Sequence, residues 1–535
     1  MMQVYDRVLT SRSNETLTAL FLLVIILYSF MACLEFARGR LMANAGARFQ
    51  SYLDETVFRL MLKTAVIDKD SLQHSNSLRD VEAIHAFAAS PVVIAIFDAP
   101  WCPFFIAVIF MLHPILGWLA VFGGLFLCAN AVINQHLTKS QVMKAVKLST
   151  RAQSFADNAC KSAALIEAQG MQTVIVDKWK QNRDAGLTAA MHSSDLRGAF
   201  SALSKSFRLI LQSAMLAAGA FLVLKNELSP GAMIAGSILM GRALAPVELA
   251  INQWPVVVKA HSAWQALSRN DYSGSKTISR IKRKKPAAQI VVKNLGIIPP
   301  GQVKLTLVGI DFTLNPGEIL GVIGKSGSGK STLARALVGI WPAAIGEIRL
   351  DDELLYNYDP EQLGKYLGYL PQSVTLFHGT VAQNIARMAH NPDEESVIAA
   401  VKMAHATSLV KHLPDSYETV IHNGTGGLSG GQIQRLGFAR AVYASPALVI
   451  LDEPNAGLDM EGTQALNQAV RQMKEQKITV IIMTHRPLAI SECDKLLYLE
   501  NGRQQAYGPR DQVLKSIVKN TKEVTQIIRQ GNHYG

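Results

Sequence analysis

The chain has 535 residues and a net charge of +12, and 49% of its residues are hydrophobic while only 18% are charged. This composition, with a mean hydropathy of +0.17, is too apolar for an ordinary soluble protein of this length and indicates membrane spans. The five cysteines are scattered and form no C-x-x-C pair, which argues against a disulfide framework and against a zinc site.

Two stretches without charge predict the first three membrane spans. Residues 17–34 carry no charged side chain, and roughly 20 mostly apolar residues suffice to cross a bilayer. Residues 99–134 contain no Asp, Glu, Lys or Arg, but they are too long for one crossing and are interrupted at His113 and Pro114. They predict a tight hairpin of two spans, the first of which begins near Pro91.

Two further spans are predicted over residues 209–224 and residues 233–258. The last of these is interrupted by Arg242 and Glu248. An ionisable side chain inside a span is a functional candidate by default, which applies to Glu248 and to Asp98. Asp98 lies two residues before a proline, so a helix start or a kink explains it equally well.

The basic residues predict how the spans are oriented. Seven lysines and arginines lie in residues 38–79, ahead of the hairpin, and ten lie in residues 139–205, behind it. Basic loops face the cytoplasm, so both loops and the C-terminal half are predicted to be cytoplasmic. Five spans then place residues 1–16 outside, although this stretch has two arginines and no secretory signal pattern. The odd number of spans predicts that one N-terminal helix is missing from this chain.

A polar segment, residues 270–286, follows the last predicted span and contains the run Lys282-Arg283-Lys284-Lys285. A solvated linker is the simple interpretation of such a charge run. Contact with anionic lipid headgroups is the functional alternative. Nucleic-acid binding would need a more extensive basic surface.

Beyond residue 287, short segments that are apolar on both faces alternate with helix-compatible ones, which predicts an α/β layer with buried parallel strands. Residues 319–323 are one such strand, and a phosphate-binding pattern G-x-x-x-x-G-K-[ST] follows it. That loop consists of Gly324, Lys325, Ser326, Gly327, Ser328, Gly329, Lys330, Ser331 and Thr332. Its backbone amides and the following helix N-terminus attract phosphate. Lys330 is predicted to reach the β- and γ-phosphates and Ser331 to hold Mg²⁺.

Two later segments add residues suited to phosphoryl transfer. An apolar strand over residues 448–451 ends in Asp452 and Glu453. Asp452 suits Mg²⁺ coordination through water, and Glu453 suits polarisation of the attacking water. Residues 428–432, Leu-Ser-Gly-Gly-Gln, precede a helix-compatible run. The glycines there allow close backbone approach, and Ser429 can donate to a phosphate.

The order of the phosphate loop, Gln372, residues 428–432, Asp452-Glu453 and His485 resembles the nucleotide-binding domain of ABC transporters. In that family each ATP lies between the phosphate loop of one subunit and the LSGGQ segment of the other. The resemblance implies that Gln372 is a catalytic residue and metal ligand and that His485 contacts the γ-phosphate. It further implies a set of nucleotide-binding residues: Ser429, Gly430, Gly431, Gln432 and Asp459.

Three other segments narrow the resemblance to type I secretion exporters, within the group that exports metalloproteases and haemophores. They are residues 3–9, residues 97–101 together with His113-Pro114, and residues 377–385. The implied fold is multi-domain: an all-α transmembrane helical domain of the ABC exporter type, followed by an α/β P-loop NTPase nucleotide-binding domain. The expected boundaries are 1–270 for the transmembrane domain, 271–286 for the basic linker and 287–535 for the nucleotide-binding domain.

The function implied by the resemblance is ATP-driven export of an unfolded protein with a C-terminal secretion signal across the bacterial inner membrane. It implies an ATP-hydrolysing homodimer that uses ATP and Mg²⁺, with cytoplasmic nucleotide-binding domains. Its partners would be a membrane fusion (periplasmic adaptor) protein, an outer-membrane channel, the secreted protein substrate and the lipid bilayer, without nucleic acid. Export of lipids or hydrophobic small molecules is the alternative. A non-transporting scaffold would not need both Glu453 and His485.

The chain also departs from the family pattern. The motif of residues 3–9 normally follows the first membrane helix but opens this chain, which agrees with a missing helix. Either the start is assigned too late or the natural protein is shortened. Residues 301–307 lack the aromatic side chain that stacks on adenine in many ABC domains. Ile433 stands where a basic residue often follows LSGGQ.

Overall fold

The computed structural model describes residues 13–67, 77–269, 285–422, 427–456 and 460–516. The chain divides into two compact units, one of residues 1–65 and 69–275 and the other of residues 66–68 and 276–535. The division at residue 275 falls inside the linker expected over residues 271–286. The motif of residues 3–9 and the basic residues 282–284 lie outside the described residues.

The first unit is built of helices. In chain order they are α1 (Asn14–Ile67), α2 (Ser77–Ala88), α3 (Pro91–Asp98), α4 (Cys102–Leu112), α5 (Pro114–Lys161), α6 (Ala163–Ala168), α7 (Gln172–Leu224), α8 (Pro230–Asn252) and α9 (Trp254–Arg269). A 3₁₀ turn over Ala99–Trp101 joins α3 to α4. The break at His113 arises because its extended backbone precedes Pro114, and its Nδ1 accepts the Ile115 N–H at 3.2 Å.

Within the described residues, five helical stretches are long and apolar enough to cross a membrane: Asn14–Val66, Pro91–Leu112, Pro114–Lys161, Gln172–Leu224 and Pro230–Asn252. The first four predicted spans lie inside the first four stretches. The fifth was expected to continue to Val258, but α8 ends at Asn252 and α9 begins at Trp254. Pro255 lacks the N–H that a continuous helix would need, which accounts for the break.

An apolar core joins helices α4, α5, α7 and α8. Its fully buried side chains include Ile109, Leu116, Met215 and Met240. In contrast, no residue in the most apolar window of α1 is buried. The apolar surface of α1 is therefore left for lipid or another chain to cover.

Two ion pairs lie among these helices. Arg38 of α1 contacts Asp98 of α3, with Nη1 2.7 Å from Oδ1, and Arg208 of α7 contacts Glu248 of α8, with Nε 3.1 Å from Oε2. The two acids that were functional candidates on sequence are thus each paired with an arginine on another helix. Such pairing offsets part of the cost of placing a charge at membrane depth.

The second unit is an α/β layer. Its strands are β1 (Ile290–Ile297), β2 (Leu307–Leu314), β3 (Ile319–Ile323), β4 (Ile345–Leu350), β5 (Glu353–Leu354), β6 (Leu367–Leu370), β7 (Gly379–Thr380), β8 (Val420–Ile421), β9 (Leu448–Asp452), β10 (Thr479–Thr484), β11 (Lys495–Glu500) and β12 (Arg503–Pro509). Its helices are α10 (Lys330–Leu337), α11 (Pro360–Tyr366), α12 (Val381–Ile385), α13 (Glu394–Met403), α14 (Thr407–Lys411), α15 (Gly430–Val442) and α16 (Met460–Glu475).

Ten of these strands form one sheet in the order β5-β4-β1-β2-β12-β11-β3-β10-β9-β6, and β7 pairs with β8 separately. The neighbours β11, β3, β10, β9 and β6 run parallel. Every residue of β9 and β10 is buried, as expected for strands covered on both faces. Buried clusters on the two faces form the core that fixes these strand ends.

Candidate functional site

Four parallel strands end at one edge of the sheet, and predicted site residues follow them. Strands β6, β9, β10 and β3 lie side by side, with Cα partners Leu370–Leu451, Asp452–Met483 and Thr484–Ile323. Because parallel strands in register end together, the loops that contain Gly324, Glu453 and His485 start at the same edge. Gln372 is exposed in the loop after β6, on the same side.

The phosphate loop between β3 and α10 depends on glycine at two positions. Gly329 precedes the helix with φ of +98°, and a Cβ there would lie 2.5 Å from Leu307 Cδ2. A Cβ on Gly324 would collide with the Leu499 carbonyl oxygen. Side chains larger than hydrogen are thus excluded, so the backbone can keep the curvature that presents its N–H groups to phosphate.

Lys330 and Ser328 provide the polar interior of this loop. The Lys330 ammonium donates to the carbonyl oxygens of Gly324 at 2.8 Å and Lys325 at 3.0 Å. Burial lowers the pKa of Lys330, while the nearby Glu453 and Asp452 act in the opposite direction. The Ser328 hydroxyl is buried without a hydrogen-bond partner in the described structure. An anion in the loop would supply that partner, so these residues fit a phosphate group.

The remaining loop residues lie at its tip or in the first turn of α10. Lys325, Ser326 and Gly327 are exposed, and the Lys325 ammonium lies 3.6 Å from Glu500 Oε1. Ser331 and Thr332 are half-buried in the helix. The loop therefore has a buried, polar interior, and the exposed, positively charged Lys325 side chain lies at its rim.

Ser331 and Asp452 place two oxygen ligands together. The Ser331 hydroxyl donates to Asp452 Oδ1 at 3.1 Å, and the Asp452 side chain is buried. Burial raises the pKa of Asp452, and the charge of Glu453 raises it further, although the Ser331 hydrogen bond acts against both. A hydroxyl and a carboxylate side by side suit Mg²⁺, which prefers oxygen ligands and would offset the buried negative charge.

Glu453 and His485 face each other across the ends of β9 and β10. His485 Nδ1 lies 3.2 Å from Glu453 Oε1. The Glu453 backbone has φ of +49°, and its N–H donates to the Met483 carbonyl at 2.9 Å. A non-glycine residue in this left-handed region is unusual and is found where a side chain must be aimed at a site. Here the turn aims the carboxylate at the strand edge beside the phosphate loop.

The Leu-Ser-Gly-Gly-Gln segment forms the start of helix α15. Ser429 is the N-cap: its Oγ accepts the Gln432 N–H at 3.3 Å, and Gln432 Oε1 accepts the Ser429 N–H at 2.8 Å. Gly430 and Gly431 form the first turn, and the space around the Gly430 Cα is open. Ser429 uses a lone pair for the cap, so its hydroxyl proton remains available to a ligand.

The structure brings most predicted residues together, with two exceptions. In the described parts of the chain, no hydrogen bond or ion pair joins residues 428–432 to the phosphate loop. Asp459 lies outside the described residues. The site therefore consists of the phosphate loop with Asp452, Glu453 and His485, with Gln372 at the same sheet edge, and of a separate surface formed by residues 428–432.

Two neighbours of the site were missed by sequence reasoning. The first is Arg335, whose charge lowers the pKa of Asp452. The second is Tyr369, whose pKa is raised by burial, while a hydrogen bond from Arg335 acts in the opposite direction. Arg335 lies one helical turn after Ser331, and Tyr369 lies on β6 beside β9. The helical spacing of Arg335 was a usable signal, whereas the position of Tyr369 depended on strand order.

Comparison with known proteins gives two family matches. The family model described as ABC transporter matches residues 307–456, and the model described as ABC transporter transmembrane region matches residues 1–246. The Type I secretion system ATP-binding protein PrsD of Rhizobium meliloti (strain 1021) is 40% identical over 97% of this chain and 89% of its own length. The Toxin RTX-I translocation ATP-binding protein of Actinobacillus pleuropneumoniae is 24% identical, over 96% of this chain and 73% of its own length.

A solved structure of a bacterial Atm1-family ABC exporter with ATP bound is similar in fold. The TM-score is 0.80 at 19% identity, and the match covers 96% of this chain and 92% of that one. A helical membrane domain followed by an α/β nucleotide-binding domain is therefore the fold of this chain, as the sequence predicted.

Proposed function

The chain belongs to the ABC transporter family, and on that premise we propose that it is the ATPase and permease of a type I secretion system. As a member of this family it is a multi-pass membrane protein that binds and hydrolyses ATP. The proposed activity is ATP-driven export of an unfolded protein with a C-terminal secretion signal across the bacterial inner membrane. Protein cargo is favoured over lipid or small hydrophobic cargo because the relatives are named for secretion and toxin translocation.

The observation that carries the proposal is the meeting of the phosphate loop, Asp452, Glu453 and His485 at one sheet edge. In the proposed mechanism the loop amides, the Lys330 ammonium and the unpaired Ser328 hydroxyl hold the phosphates. Glu453 orients and polarises the attacking water, and His485 contacts the γ-phosphate. Gln372, at the same edge, would contact the metal ion and the attacking water.

Mg²⁺ fits the pair of oxygen ligands formed by Ser331 and Asp452, with Gln372 as a further candidate ligand. When bound, the ion would neutralise charge that develops on the transferred phosphoryl group. The protein residues perform the rest: Ser331 and Asp452 hold their positions through their mutual hydrogen bond, and Lys330 stays beside the loop carbonyls.

We propose that the working form is a homodimer. The open first turn of α15 and the available Ser429 hydroxyl support a role for Ser429, Gly430, Gly431 and Gln432 as ligands to ATP held by a second copy. Asp459 is proposed to contribute to the same contact. The basic loops support a cytoplasmic position for the nucleotide-binding domains. A periplasmic adaptor and an outer-membrane channel would complete the path.

Replacement of Glu453 tests the catalytic part of this proposal. We expect Glu453→Gln in the full-length chain, purified in detergent, to lower ATP turnover by about 10²- to 10⁴-fold, because the water loses its base. ATP binding should persist, since the phosphate loop is unchanged. Glu475→Gln, an exposed site at the end of α16, is the control and should hydrolyse ATP normally. Unchanged turnover in Glu453→Gln would overturn the assignment.

The cargo is tested separately. Cells that produce this chain with an adaptor and an outer channel should release a secreted protein substrate only when the substrate keeps its C-terminal segment. Glu453→Gln should abolish the release. Release of a substrate that lacks its C-terminal segment would contradict the proposed cargo class while leaving the ATPase assignment intact.

A further inference from the structure

The short β7–β8 ribbon has a histidine at the same end of each strand. Strands β7 and β8 pair antiparallel, with Gly379 opposite Ile421 and Thr380 opposite Val420. His378 and His422 flank the Gly379–Ile421 pair, so they come next across the ribbon. Their ring centroids are 5.3 Å apart, with an angle of 36° between the ring planes. Sequence reasoning assigned no role to either side chain.

The backbone that carries this pair is held on both sides. The buried Asn384 side chain accepts the Phe377 N–H and donates to the Phe377 carbonyl, both at 2.9 Å. Thr380 starts helix α12 with a capping box. On the other strand, Ile421 is buried, and the Thr419 carbonyl accepts the Val381 N–H at 3.0 Å. The two imidazoles therefore project from a backbone whose flanking residues are hydrogen-bonded on both strands.

The separation of the rings matches joint coordination of one metal ion. A metal bound through an imidazole nitrogen at ~2.0–2.1 Å lies roughly 3.2 Å from the ring centre, so two rings at a tetrahedral angle have centres roughly 5 Å apart. The observed 5.3 Å is close to that value. Both histidines are exposed, so an ion can enter and keep water as its other ligands.

We propose that His378 and His422 form a two-histidine site for a divalent transition metal, beyond the proposed function in ATP-driven export. Neutral imidazole suits Cu²⁺, Ni²⁺ and Zn²⁺, and affinity should be highest for Cu²⁺. Over the described ranges, no cluster of three or more His, Cys, Asp or Glu side chains could hold a metal. The site is therefore bidentate and exchangeable. The bound ion bridges β7 and β8 and restrains the ribbon that precedes Ser429 in the chain.

Cu²⁺ binding to the full-length chain in detergent, without a histidine tag, tests the proposal. We expect one ion whose electron paramagnetic resonance spectrum shows coupling to two nitrogens. His378→Gln and His422→Gln should each remove one nitrogen and weaken binding by about a hundredfold, because a chelate becomes a single ligand. Both rings are exposed, so the metal-free variants should unfold at the parent temperature.

His412→Gln is the matched control. His412 is also exposed, with Nδ1 2.6 Å from the Ser408 carbonyl oxygen. This variant should keep the two-nitrogen spectrum and the parent affinity. The proposal is overturned if the parent shows no two-nitrogen species, or if His378→Gln and His422→Gln bind Cu²⁺ as the parent does. Rings that only stack on each other would give the first of these results.

Discussion

The Asp452 carboxyl group is kept where water hardly reaches it, and this arrangement has a cost for folding. Its pKa is raised by burial and by the adjacent Glu453, which means that the ionised form is disfavoured in the folded protein. The hydrogen bond from Ser331 and the charges of Arg335 and Lys330 offset part of this effect. The site thus contains a buried carboxyl group whose ionised form a bound cation would stabilise.

This arrangement predicts a pH-dependent stability. As pH rises from the ordinary aspartate value of 3.8 through the raised pKa, the unfolded chain releases this proton before the folded chain does. The contribution of Asp452 to stability therefore falls across that window. Asp452→Asn should remove the fall and raise the melting temperature at neutral pH, while ATP turnover drops by about a hundredfold or more.

Thermal unfolding of the two proteins across that pH range, without nucleotide, measures the difference. Asp352→Asn, at an exposed aspartate, should leave the pH profile unchanged. A lower melting temperature for Asp452→Asn at neutral pH would mean that the carboxylate stabilises the fold, contrary to the argument from burial.

At the scale of elements, the strand–loop–helix unit of residues 319–337 was predictable because local chemistry determines it. A strand that is apolar on both faces, the glycine pattern of the loop and a helix that starts at Lys330 can all be read from neighbouring residues. The collisions that exclude a Cβ at Gly324 and Gly329 involve more distant segments. The break between α8 and α9 was not predicted, because the hydropathy of residues 233–258 masks the effect of Pro255. Continuous hydropathy and a continuous helix are different properties.

Glycine substitutions separate backbone strain from steric collision in this unit. Gly329→Ala requires φ of +98° for a residue with a Cβ that meets Leu307, so we expect a destabilisation above the ~1–2 kcal/mol of left-handed strain and a loss of ATP binding. Gly301 has φ of +77° and open space around it, so Gly301→Ala should cost only the strain and retain ATP binding. Chemical denaturation and nucleotide binding measure both effects, and equal losses in the two variants would contradict the steric argument.

For the whole molecule, the proposed homodimer makes the phosphate loop of one copy and residues 428–432 of the other two parts of one site. Two variants, each defective in one part, should therefore restore each other. Lys330→Ala removes the ammonium that is proposed to bind phosphate. Ser429→Asp retains a good helix N-cap but places a negative charge against phosphate. If the sites form between copies as proposed, a mixed dimer contains one intact composite site.

We expect each variant alone to lose ATP turnover, and the co-expressed, doubly tagged and purified mixture to regain a substantial part of it. A mixture of Lys330→Ala with Glu453→Gln is the matched control. The composite site with an intact Lys330 then lacks Glu453, so activity should stay low. Equal activity in the two mixtures would show that the sites do not form between copies.

The site residues that the sequence predicted are determined by their neighbours in the chain, whereas the missed ones depend on contacts between distant segments. Lys330, Asp452 and Glu453 could be identified because each occurs beside a recognisable strand or loop. The neighbourhood of Tyr369 could not, because it depends on β6 lying next to β9. Strand order in this sheet follows from packing over the whole unit, so no local sequence pattern predicts it.

The position of β3 in the sheet has a consequence for biosynthesis. Both of its neighbours, β10 and β11, come late in the chain, so a polypeptide that has left the ribosome only as far as residue 478 presents β3 with neither edge covered. The phosphate loop, which follows β3, can then reach its final conformation only after nearly the entire protein has been translated. Until then, an apolar strand of residues 319–323 is a hazard for misassembly that chaperones or early tertiary contacts must shield.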